Sequence, residues 1–97
     1  MSTVELDGTR VHNNADFHRE LSRLLDFGPY YGHNLSALWD RLSRDVERPV
    51  HLVWRDAEAS KAALGDSPFD AILRILEDAA EEDRHSPHPE RFTYELA

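Results

Sequence analysis

The chain predicts an α/β fold, a three-stranded parallel sheet packed against helices, in the order β-α-α-β-α-α-β. Three observations carry this. The run Val50-His51-Leu52-Val53-Trp54 is β-branched, aromatic and nearly all apolar, as expected for a strand buried on both faces of a parallel sheet. Apolar residues alternate near both ends of the chain, at Val4 and Leu6 and at Phe92, Tyr94 and Leu96, which marks two more strands. The stretches between repeat their apolar residues at helical spacing, and strands separated by helices pair in parallel through crossovers.

In chain order, Thr3 to Leu6 is a strand closed by the turn signal Asp7-Gly8. Thr9 to Val11 reads equally as a connection or as the second arm of a hairpin. Asn13 or Asn14 caps the first helix, whose stripe is Phe17, Leu21, Leu24 and Leu25, and Gly28-Pro29 ends it. Asn34 caps the second, with Leu35, Leu38, Leu42 and Val46 buried, and Arg48-Pro49 breaks it. After the central strand, Asp56 caps a short helix, Ala57 to Leu64, ended by Gly65. Ser67-Pro68 with Asp70 three residues after the serine predicts the start of the last helix. Its stripe is Phe69, Ile72, Leu73, Leu76, Ala79 and Ala80. Arg84 to Glu90 holds two prolines and no apolar residue, so it is a loop. No repeat or linker interrupts the chain, and residues 1–97 read as one domain.

Composition narrows the function. With 40% hydrophobic and 31% charged residues the chain is an ordinary globular protein. It has no cysteine, hence no disulfide framework and no thiolate metal site. No apolar run suits a membrane span or a signal peptide, and the expected location is the cytoplasm. A net charge of −8 repels nucleic acid and suits a basic partner. From Asp66 to Asp83 seven acids stand against Arg74 alone, which on its own is no more than a solvated helix face.

No catalytic pattern emerges. His85 and His88 lie in a proline-rich loop without a third ligand, and the other histidines are scattered. Gly28 and Gly32 lack the Lys-Ser/Thr of a phosphate loop. No enzyme activity, cofactor or metal is therefore expected. The richest stretch is GPYYGHNLSALWD, Gly28 to Asp40. On a helical wheel Asp40 falls away from the Leu35-Leu38-Leu42-Val46 stripe, with Ser36 and Ser43 between and Trp39 on the shoulder. The loop before it delivers Tyr30 and Tyr31. Aromatics beside an acid on a rigid element suit a protein-binding surface. Composition alone favours a plainer reading, in which Trp39 and one tyrosine are core and Asp40 is merely solvated.

The motif adds a resemblance. Tyr30-Tyr31-Gly32, Asn34-Leu35, Ala37-Leu38-Trp39-Asp40 and Leu42 resemble the barstar family, intracellular inhibitors of barnase-like microbial ribonucleases. Asp16, His18 and Leu21, then Pro49, Val53-Trp54-Arg55 and Ser60-Lys61, extend the likeness, which covers about residues 3 to 83. It implies a three-stranded parallel sheet flanked by helices. It also implies a 1:1 complex with an extracellular guanyl-specific ribonuclease, whose basic site is plugged by a carboxylate standing in for RNA phosphate. By matching position, Tyr30 is the loop contact, Trp39 contact and scaffold, Asp40 the phosphate mimic and Asp78 an acidic contact on the last helix. Tyr31, Gly32, Asn34, Ser36, Ser43 and Arg44 complete the implied face. Ser36 stands where the family pattern has a second acid, and Arg44 and Asp45 replace a glycine and a large aromatic, so the target need not be barnase itself. The alternative is a non-inhibitory binding module on the same fold.

Overall fold

The computed structural model describes residues 2–87 and 89–97. Strand β1 (Ser2–Asp7) leads through a 3-10 turn (Gly8–Arg10) to α1 (Asn14–Leu25) and α2 (Leu35–Asp40), which runs on as a π-helical turn (Arg41–Asp45). Then follow β2 (Val50–Arg55), α3 (Ala57–Leu64), α4 (Asp66–Arg84) and β3 (Phe92–Leu96). The sheet order is β1-β2-β3 with both pairings parallel, so the most apolar strand is the central one, as expected.

One sheet face builds the core. Leu6 on β1, Val50, Leu52 and Trp54 on β2, and Phe92 on β3 are buried against Phe17 and Leu21 of α1, Leu38 and Leu42 of α2 and its π turn, and Phe69, Ile72 and Leu76 of α4. Trp54 lies at its centre, with the Phe17 and Phe69 rings each 5.2 Å away. Its indole N–H donates to Ser60 Oγ at 3.0 Å, and that hydroxyl donates to the Gly8 carbonyl at 2.9 Å. This close approach requires glycine, since a Cβ at position 8 would stand 2.4 Å from the Arg55 and Asp56 carbonyl oxygens.

Expected burial of β2 on both faces holds only in part. On the other face Val53 is buried, but the half-exposed His51 bonds Thr93 Oγ1 at 2.7 Å and Glu95 Oε1 at 2.8 Å. A polar ladder finishes that face where a second helical layer would otherwise be needed.

Local chemistry explains the other departures. Thr9 to Val11 forms no hairpin arm: the Asp7 carboxylate accepts from Thr9 N and Thr9 Oγ1 and holds the chain in the 3-10 turn. Asn13 caps α1 and Asn34 caps α2, each side-chain oxygen accepting the N–H three residues on at 2.8 Å. Asp56 does not cap α3 with its side chain; its backbone is left-handed at φ 52°, and its carbonyl accepts from Ala59 and Ser60. Ser67 is not the cap of α4. Gly65, at φ 91°, turns the chain straight out of α3, so α4 starts at Asp66 and Pro68 falls within the first turn. Leu35 is 37% exposed, because as the first residue of α2 it lies beside His33 and Pro68 at a surface cleft, outside the core. Arg84 still belongs to α4, and the following loop starts one residue later than expected.

Candidate functional site

The loop from Phe27 to Asn34 and the α2–π segment form one face. Helix α1 stops at Asp26, whose backbone is left-handed, and Gly28 and His33 also take positive φ at 81° and 53°. These turns make the two tyrosines diverge. Tyr31 is 6% exposed and points into the core, its ring 4.8 Å from Phe27. Its hydroxyl lies 2.6 Å from Nδ1 of the buried His18. Burial pushes the Tyr31 hydroxyl pKa well above its ordinary value. Burial, then the neighbouring His33, pushes His18 down. Both groups are therefore neutral near pH 7, with the hydroxyl donating when Nδ1 carries no proton. Tyr30, by contrast, is 90% exposed.

Gly32 fits tightly above α2: a Cβ there would lie 3.2 Å from Asn34 Nδ2 and 3.3 Å from Ala37 Cβ. Asn34 uses its oxygen to cap Ala37 N and donates from Nδ2 to the Gly32 carbonyl at 3.1 Å, so it braces the loop from below. Tyr30, Gly32, Asp40, Arg41, Arg44 and Asp45 line a single open cleft of ≈ 500 Å³. Within it Arg41 donates to Asp45 at 2.8 Å. The Asp40 carboxylate is exposed and has no ion pair or hydrogen bond among the described residues.

The implied residues thus divide. Tyr30, Gly32, Asp40 and Arg44 meet at one cleft. Ser43 and Arg44 line a second, toward the loop after α4, with Glu47, Asp83 and Glu90. Ser36 is exposed on α2, and Trp39 is half-buried and packs on the core. Tyr31 is a buried support beneath the face, while Asn34 is exposed and braces the loop through its hydrogen bonds. Asp78 is exposed on α4, in neither cleft. His85 is exposed, His88 lies outside the described residues, and no metal-ligand cluster occurs among the described ones. No described helix is long and apolar enough to cross a membrane.

Two supports were missed in the sequence. Phe27 follows the end of α1 and belongs to no helical stripe, yet it is buried against Tyr31. Arg48 fixes the far end of α2: its guanidinium donates to the Leu42 and Val46 carbonyls and to Asp83, the last at 2.6 Å. Asp83 Oδ2 also accepts from Phe92 N at 2.7 Å. The nearest sequence signal is a lone arginine before the proline that breaks the helix.

A three-stranded parallel sheet carrying a helix–loop face with an exposed tyrosine, a carboxylate unpaired among the described residues and two arginines defines a protein whose exposed chemistry suits contact with another macromolecule. The family model for Barstar (barnase inhibitor) matches residues 1–95, and the chain belongs to the barstar family. It is 40% identical over 82 residues to "Putative ribonuclease inhibitor YrdF" of Bacillus subtilis (strain 168), covering 84% of this chain and 89% of that protein. The family description and the relative's name both describe an inhibitor.

Proposed function

We propose that this protein inhibits a secreted microbial guanyl-specific ribonuclease by occupying its active site 1:1, inside the cell that makes the nuclease. The observation that carries this reading is the Asp40 carboxylate, exposed and unpaired among the described residues in the cleft beneath Tyr30, on a chain of charge −8. A ribonuclease site binds RNA phosphate with cationic side chains. A fixed carboxylate presents the same charge and acceptor geometry to guanidinium and ammonium groups, and charge-assisted bonds of this kind are strong. The Asp40 backbone is already positioned by α2, so only a short side chain remains to be ordered on binding. Tyr30 supplies flat apolar area beside it, and Trp39 joins contact to scaffold. The negative charge of the whole chain accelerates encounter with a basic enzyme.

The test is RNA cleavage by a panel of small basic microbial ribonucleases, titrated with wild type, Asp40→Ala and Asp40→Asn. Stoichiometric inhibition by wild type, lost in both variants, supports the reading. A correctly folded wild type that inhibits none of the panel overturns it and leaves a binding module of another kind. Inhibition that survives Asp40→Asn shows that the carboxylate charge is not what the nuclease reads.

A further inference from the structure

The candidate face contains a cation with no acid partner among the described residues. Three other arginines have intramolecular acid partners: Arg41 with Asp45, Arg48 with Asp83 and Arg84 with Glu77. Arg44 is exposed and has no ion pair or hydrogen bond among the described residues, although Asp40, Asp45, Glu47 and Glu90 line the same clefts. It stands on the ridge between those clefts, four residues after Asp40.

A partner that seats its cationic site on Asp40 must meet Arg44 at the same time. Against a wholly basic surface this guanidinium would be repelled and stripped of water without a partner. Against an acidic side chain it would make a charge-assisted pair with the geometry for bidentate bonding. We propose that Arg44 is a specificity-determining residue, which accepts ribonucleases bearing a carboxylate at the rim of the phosphate-binding site and rejects those with a cation there. This rests on the ribonuclease-inhibitor reading. Asp40 and Arg44 then form a two-charge code of opposite signs, which a phosphate analogue alone would not provide, and selection between nucleases follows from the repulsive case as much as from the attractive one.

The experiment compares wild type, Arg44→Ala and Arg44→Glu against a ribonuclease that the wild type inhibits, with thermal melts confirming folding. Long-range steering and local pairing predict opposite signs. Arg44→Glu makes the protein more acidic, so a bystander at position 44 yields equal or tighter inhibition and faster association with a basic enzyme. A paired Arg44 yields weaker inhibition, by on the order of 30-fold or more, through faster dissociation. Exchanging the ribonuclease's rim carboxylate for lysine should then restore binding to Arg44→Glu. Equal or tighter inhibition by Arg44→Glu overturns the proposal and leaves the inhibitor reading standing. A wild type that inhibits no ribonuclease removes both.

Discussion

At the junction of α2, α4 and β3, Asp83 is largely buried, paired with Arg48 and bonded to the backbone of Phe92. On the loop–α2 face, Asp40 is exposed with no partner among the described residues. The same functional group is thus placed in opposite circumstances on two helices, Asp83 on α4 and Asp40 on α2. A carboxylate that holds a fold has spent its acceptors and can offer little to a partner. One left open contributes almost nothing to folding and keeps its whole interaction energy for binding. The tyrosines repeat the contrast, with Tyr31 committed to His18 and Tyr30 uncommitted.

Asp40→Ala should show the largest effect. Binding to a cognate ribonuclease should weaken by about 2–5 kcal/mol or more, a general range for truncating a buried charge contact in interfaces, the barnase–barstar pair included. Thermal stability should change by no more than ~0.5 kcal/mol, as at other exposed sites. Inhibition titrations beside melts of the free protein measure both. A large loss of stability would place Asp40 with Asp83 and erase the contrast.

Asp83→Ala should do the reverse. It leaves Arg48 without its acid and Phe92 N without its acceptor, in a region where both side chains are mostly covered. Unfolding free energy should fall by about 2–3 kcal/mol. Asp83→Asn keeps an acceptor for Phe92 N and should lose less. If Asp83→Ala melts like wild type, the Arg48 pair does not hold the end of α2, and the carbonyls of Leu42 and Val46 suffice to hold Arg48.

Much of this contrast was hidden from the sequence for a physical reason. Helices α1 and α4, the central strand and the Asn34 cap rest on neighbours within a few residues, so spacing reveals them. Caps at Asp56 and Ser67 were misjudged because the decision lay with backbone turns at Asp56 itself and at Gly65. The Arg48–Asp83 pair spans 35 residues and the Ser60–Gly8 bond 52, and no local pattern records such distances. Adjacent tyrosines look alike until the positive-φ residues Asp26, Gly28 and His33 turn one inward. Tyr30 and Asp40 were legible as one candidate face because a short loop and the helix it enters must lie together, whereas Gly32 and Arg44 joined it only through the family resemblance.

The buried tyrosine allows a pH test. His18 titrates below its ordinary value in the folded protein, first because burial disfavours its charged form and then because His33 is near. Its stabilising contribution is complete above the unfolded value of about 6.5 and is lost as pH falls from there through the lowered folded value. Stability should therefore decline on acidification beginning near pH 6.5, and His18→Gln should flatten that decline. Asp16 and Glu77 are also held below their usual values, Asp16 chiefly by Arg19 and Glu77 chiefly by Arg84, but their losses begin only in the carboxylate range. Denaturant unfolding between pH 5 and 7 separates the two. An unchanged slope in His18→Gln would mean that the support under the loop does not titrate.

The smallest effect is expected at Asp78, which tests how far the open face extends. It is exposed on α4 and lies outside both clefts, so it offers a partner charge without a shaped pocket. Such a charge acts over a Debye length, about 8 Å at physiological salt, and attracts a basic enzyme before contact. Asp78→Ala should therefore slow association a few-fold and reduce its dependence on salt, while the dissociation rate and the melting temperature barely move. Stopped-flow association at several salt concentrations reads this directly. A rise in dissociation rate with association unchanged would instead make Asp78 a desolvated contact. The binding surface would then reach across α4, and Asp78 would belong with Asp40 as a residue kept free for the partner.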